Sequence, residues 1–255
     1  MSNESESGER SIYVFESHQT PWEACVNVNF ANVRLAPDFV AACTRDHLTL
    51  LTMSTPRVPF DFILNRAREL AQRLIDAHAL FCASNAHLLE HDSTMWLEVK
   101  GVRQGEAVAG YMHRSLGSGP LDPEHPDNVA LHEAAALVNT CAGIPALMLA
   151  LSDFRAARRE PGPYYAFHAF RVLEDIRDAF PGAKRHQRWA AMNAALGTTE
   201  ATWSEQTEAS EKARHLNPAD MLWLMDPERH ARVLSSARDA LRRFIAHLPT
   251  LRGGR

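Results

Sequence analysis

The sequence predicts an α+β protein: a small N-terminal β-containing part built round one long helix, followed by an all-α helical bundle. Three observations predict it. Near the N-terminus Val26, Val28 and Phe30 alternate with Asn27 and Asn29, the two-residue period of a half-buried strand. From Phe60, and again in every segment beyond Asn128, apolar residues recur at helical spacing. Between these regions lies a turn-rich stretch, Ser115 to Asp127, carrying Gly117, Gly119, Pro120, Pro123 and Pro126. The organisation that follows is a disordered tail over 1–10, an α+β domain over 11–114 and a helical bundle over 128–248.

In chain order, Ser11 to Glu16 and Ala24 to Leu35 read as strands, and His47 to Ser54 as a further candidate; Pro37 to Asp46 fits a helical turn. Phe60 to about His91 reads as one long helix, with Phe60, Ile63, Leu64, Ala67, Leu70, Ala71, Leu74, His78 and Phe81 on its apolar face. His78 there reads as a core histidine held by hydrogen bonds. Thr94 to Lys100 and Glu106 to His113 form a hairpin pattern across Gly101 to Gly105. After the break, Ala130 to Leu151 is apolar nearly all round and is expected to be central, with a kink at Pro145. The next helix places Tyr165, Ala169, Val172, Leu173, Ile176 and Phe180 on one face and ends at Pro181-Gly182. Trp189, Met192 and Leu196 mark a short helix closed by Gly197, and Glu200 to His215 a polar one stopped by Asn217-Pro218. Pro227 to Leu248 closes the bundle, with Val233, Leu234, Ala237, Leu241, Phe244, Ile245 and Leu248 on one side.

Composition excludes several classes. A formal charge of −4 gives no global basic field, so any nucleic-acid binding has to come from a local patch. The cysteines at 25, 43, 82 and 141 form no CxxC pair, which argues against a zinc knuckle or redox dithiol and for buried reduced thiols. The polar, acidic start lacks the basic and apolar regions of a secretory signal. The longest apolar stretch, Ala136 to Leu151, is interrupted by polar residues and falls short of the ~20 residues a bilayer span needs. A cytoplasmic protein with no membrane partner is the expectation.

One short motif carries metal chemistry. His87-Leu88-Leu89-Glu90-His91 has the HxxEH form: two histidines at i and i+4 share a helical face and can grip one Zn²⁺, with Glu90 beside them as a base. The string Ala86 to His91 resembles the core motif of the insulysin and pitrilysin family over those six residues, without that family's upstream glycines. The plainer account is a pair of polar residues at a fraying helix end. No metal or other cofactor is expected on balance, and His87, Glu90 and His91 form the alternative reading of a zinc-dependent hydrolase.

The second resemblance lies in the bundle. Tyr164 to Glu174, then Trp189, Met192, Asn193, Leu196 and Gly197, then Ser210 to His215 and the closing amphipathic helix succeed one another in an order that resembles the helical domains of the HEPN superfamily, over roughly Asn128 to His247. That superfamily includes bacterial toxins and phage-defence proteins. The resemblance implies a metal-independent ribonuclease in which an Arg and a His of an R-x4-6-H motif act at the scissile phosphate. Here Arg214 and His215 are adjacent, so a helix points them about 100° apart, and the ribonuclease motif is not intact. Binding rather than catalysis is therefore expected: a partner, RNA or a nucleotide, held by an anion-binding face of Arg171, Arg214 and His215, with a homodimer formed through the bundle. Two plainer accounts stand beside it, Arg214 and His215 offsetting a helix dipole and Arg171 pairing with Glu174 at the surface. A purely structural or interaction protein is the remaining alternative.

Overall fold

The computed structural model describes residues 11–18, 34–36, 39–43, 47–54, 60–82, 96–100, 126–141 and 143–253. The α+β class is corrected. Where side chains are described, every regular element is helical and none is a strand, so the protein is mainly all-α. All of its described core, from Leu70 to Leu248, sits on helices and the turns that join them. An alternating pattern marks locally extended chain, but class is decided by which elements bury apolar surface against one another.

The chain divides into two compact units, Met1–Ala142 and Gly143–Arg255. In the first, α1 (Phe60–Phe81) packs on α2 (Pro126–Cys141). Leu70, Leu74, Ile75, Leu80, Ala134 and Val138 are buried there, as are His78 and the thiol of Cys82. Extended stretches are defined by backbone pairing alone: β1 (Ser11–His18), β2 (Arg34–Ala36), β3 (Phe39–Cys43), β4 (His47–Ser54) and β5 (Trp96–Lys100). They lie antiparallel in the order β2-β3-β4-β1-β5. Phe39–Cys43 is thus extended, not the helical turn expected over Pro37 to Asp46. The alternating run Val26 to Phe30, the end of the long helix beyond Cys82 and the second hairpin arm lie outside the described residues.

The second unit comprises α3 (Pro145–Arg159), α4 (Tyr165–Arg177), α5 (Arg185–Leu196), a 3-10 turn (Glu200–Trp203), α6 (Ser204–Arg214), α7 (Pro218–Leu224) and α8 (Pro227–Gly253). Its hub is α4, which packs against α3, α5, α6 and α8. Tyr165, Ala166, Ala169, Phe170, Val172, Leu173 and Ile176 are all buried, covering much more than one stripe of the helix. The helix expected at the centre, Ala130 to Leu151, is instead two helices. Gly143 sits at φ +95, outside the helical region, and Pro145 opens α3 at a first-turn position where its missing N–H costs nothing. The proline starts a helix instead of kinking one.

Large side chains fix the packing. Phe154 and Phe244 are wholly buried, and truncating either to alanine is expected to cost about 3–5 kcal/mol. Specific polar ties join the helices. Buried Gln206 on α6 donates to the Ala169 carbonyl of α4 and accepts from Ser236 Oγ of α8 at 3.0 Å. Trp203 Nε1 donates to Asn193 Oδ1 at 3.0 Å, closing the end of α5 on the 3-10 turn. Asn217 caps α7 by accepting from the Asp220 amide at 2.9 Å. Among the described residues no helix is long and apolar enough to cross a membrane.

Candidate functional site: a polar face on the central helix

Because α4 turns its apolar residues inward, Phe167, His168, Arg171 and Asp175 are left on its remaining face. His168, Arg171 and Asp175 follow the i, i+3, i+7 spacing of a single helical stripe. Opposite them on α3 stands Asp153, whose side chain is only 14% exposed. Its Oδ1 lies 3.1 Å from His168 Nδ1, and its Oδ2 accepts from Arg171 Nε at 3.0 Å. One carboxylate therefore orients two cationic or ionisable groups, one helical turn apart. With Nδ1–H donating to Asp153, Nε2 is the ring nitrogen left for other chemistry.

The hydrogen bond and charge of Asp153 raise the pKa of Arg171 further, so it is cationic at any accessible pH. Asp175 behaves oppositely. Burial, then the hydrogen bond and charge of Asp153, push its carboxyl up to about 7, while Arg171 pulls the other way. Asp175 Oδ2 is shut off from solvent and meets no donor among the described residues, and a proton on Asp175 turns its contact with Asp153 from repulsion into donation.

The aromatic component is Phe167. The guanidinium of Arg171 lies 6.0 Å from its ring centroid and that of Arg214, from the last turn of α6, 5.7 Å; Arg214 also lies 5.6 Å from Phe170. Two arginines from different helices thus share one ring. Among the described residues the nearest acid to Arg214 is Glu211 at 3.6 Å, beyond hydrogen-bond distance and between exposed groups. His168 adjoins Phe167 edge-on, with ring centroids 5.8 Å apart. On the other side of His168 a groove of about 300 Å³ is lined by Ser152, Arg155, Ala156, Arg159, Glu160 and His168.

Of the residues expected from the sequence, Arg171 and Arg214 come together and His215 does not. His215 is exposed, one residue past α6, and makes no hydrogen bond, ion pair or ring contact among the described residues. Arg171 pairs with Asp153 of α3, whereas Glu174 pairs with Arg177 and Arg185. His87, Glu90 and His91 lie outside the described residues. Among the described residues no group of three or more His, Cys, Asp or Glu side chains is placed to hold a metal ion.

Sequence reasoning missed Asp153, His168 and Asp175. The i, i+3, i+7 stripe on α4 was a usable signal for the latter two. Asp153 gave none, because its role depends on how α3 and α4 fold back across the Pro161-Gly162-Pro163 turn.

Fold and site together define a helical bundle with an arginine-flanked aromatic face. Residues 134–248 are similar to a family described as the C-terminal domain of a domain of unknown function, DUF8168. No curated protein and no solved structure matches the chain.

Proposed function

We propose that the bundle is a HEPN-like module that binds RNA or a nucleotide at the Phe167 face, acting by binding rather than cleavage. The observation that carries this reading is the convergence of Arg171 and Arg214 on one aromatic ring. Asp153 engages Arg171 through Nε, which leaves the two terminal nitrogens of that guanidinium for a phosphate. Phe167 and the guanidinium planes offer the stacking surfaces on which unpaired bases are held. The face supplies the local patch that a chain of charge −4 needs for an anionic ligand.

In this reading the protein is bacterial and cytoplasmic, serves a toxin or phage-defence system, and forms a homodimer through the bundle. The dimer would use the apolar surface around α7, where Leu222 is 77% exposed beside exposed Met221 and Met225. Fluorescence anisotropy with a labelled single-stranded RNA, and competition by ATP, tests the binding. Salt-sensitive binding by the natural protein, lost when Arg171 and Arg214 are both changed to alanine, is expected. Absence of binding to both ligands at low salt would overturn it.

A further inference from the structure

We propose that Tyr164 is a second base-stacking platform beside Phe167, so that the ligand of this face is an unpaired RNA strand of at least two bases instead of a single nucleotide. This rests on the binding reading above and names within it the class of ligand and a further residue that selects it.

The ring is placed by its neighbours. Tyr165, Ala166 and Ala169 are buried, which fixes the rotation of α4 about its axis at this end. Tyr164 lies one residue earlier, about 100° round from Tyr165, and is turned outward with 54% of its surface exposed. It already has helical backbone angles, φ −71 and ψ −10, and its carbonyl accepts from the amides of Phe167 and His168 at 3.0 and 3.2 Å. Helical geometry therefore applies from Tyr164 onward. Its side chain makes no hydrogen bond or ring contact among the described residues.

A lone exposed tyrosine is ordinary on a protein surface. This one has company: Tyr164, Phe167 and Arg171 stand at i, i+3 and i+7, one stripe of α4. Tyr164 and Phe167 are offset by about 4.5 Å along the axis and about 60° around it, so they offer two separate platforms. The cations belong to the second of these, with the guanidiniums of Arg171 and Arg214 at 6.0 and 5.7 Å from the Phe167 ring. A single nucleotide therefore finds its stacking ring and its phosphate partners at Phe167 and leaves Tyr164 uncovered. A continuing strand reaches both rings. A duplex does not, because its bases are stacked on one another and are not splayed out. Every base has a π-face, so the two rings select unpaired chain without selecting sequence.

The test measures a short labelled single-stranded RNA by anisotropy, and ATP in parallel, on the full chain carrying Tyr164→Ala or Tyr164→Phe. Tyr164→Ala should weaken RNA binding about tenfold, within the range that one base stacked on an aromatic ring contributes, and leave ATP binding unchanged. Tyr164→Phe keeps the ring and should bind RNA as the natural protein does. Circular dichroism melts confirm that both variants are folded. RNA affinity unchanged in Tyr164→Ala, or ATP binding weakened by the same factor, overturns the two-base assignment and leaves the binding reading standing. The same tenfold loss on paired RNA also overturns it. Self-association lost in Tyr164→Ala with RNA affinity retained gives the ring to a contact between protein chains and overturns it too. Failure of the natural protein to bind either ligand overturns both readings.

Discussion

The Tyr165 hydroxyl donates to the backbone carbonyl of Leu224 at 3.0 Å, fastening the first turn of α4 to the last residue of α7. Burial pushes the phenol up to about 12, so it stays a donor throughout the physiological range. The ring also lies 4.1 Å from that of His230 on α8. Replacing Tyr165 by phenylalanine keeps the ring and removes only the donor, leaving a buried carbonyl without its partner. A loss of about 1–2 kcal/mol is expected in urea unfolding. An unchanged midpoint would show that the bond contributes nothing to holding α7.

Asp175 gives the second half-unit an unusual pH response. Its carboxyl releases its proton near 3.8 in the unfolded chain and at about 7 in the folded one. Between those values the folded state binds the extra proton, so this group's contribution to stability is present at low pH and declines as pH rises to neutrality. Asp175→Asn can still donate to Asp153 but has no charge to develop. The variant should melt above the natural protein at about pH 8 and close to it at about pH 4, where the native carboxyl is already neutral. Calorimetry at the two pH values checks this, and an Asn variant that is less stable at alkaline pH would reverse the sign argued here.

Gly182 is required by both conformation and space. Its φ is +151, and a Cβ built there would lie 2.9 Å from the Arg188 amide nitrogen, a backbone atom that cannot rotate away. The Gly182 carbonyl also accepts from Arg188 Nε at 2.9 Å, so the turn and the start of α5 are locked together. Gly182→Ala should destabilise by about 1–3 kcal/mol, the usual cost of forced overpacking. Thermal melts of the single variant decide the point, with Gly143→Ala as a comparison for conformation alone: its φ is +95, and among the described residues no atom stands within 4 Å of the new Cβ.

For RNA binding, the salt dependence separates phosphate contacts from stacking. Arg171→Ala and Arg214→Ala should each lower the slope of log affinity against log salt by about one, and Phe167→Leu should weaken binding with the slope retained. Arg232→Ala, an exposed arginine paired with Glu205 on another part of the surface, should leave both unchanged. Slopes equal to the natural protein's in both arginine variants would place the phosphates elsewhere.

Helical periodicity made most of the second unit readable. The stripe Tyr165, Ala169, Val172, Leu173, Ile176 and Phe180 is buried, as are Val233, Ala237, Leu241, Phe244 and Leu248 on α8. Both helices have one clear apolar side, and that is the property a 3.6-residue rhythm reports. The short α7 escaped notice because Met221 and Leu222 face outward, so its apolar residues trace no buried stripe. Near the N-terminus Ser11 to Glu16 and His47 to Ser54 are extended as expected, and the α+β class fails because the described core rests on helix packing. At the site, Arg171 and Arg214 stood out as cations, but their meeting on Phe167 is a tertiary event between residues 43 positions apart in the case of that pair. Asp153 is a single acid in an apolar neighbourhood, and nothing local distinguishes it.

The positive charges around Phe167 and in the groove are all guanidinium or imidazole, and lysine occurs only at 100, 184 and 212. Reagents that acylate amines, whether surface-coupling esters or mass-spectrometric labels, therefore have no target among the residues that form this face. Dicarbonyl compounds, which condense with guanidinium groups, do. The protein can be immobilised through its amines with the face chemically intact, and arginine-directed footprinting with and without ligand then gives a readout that amine chemistry cannot.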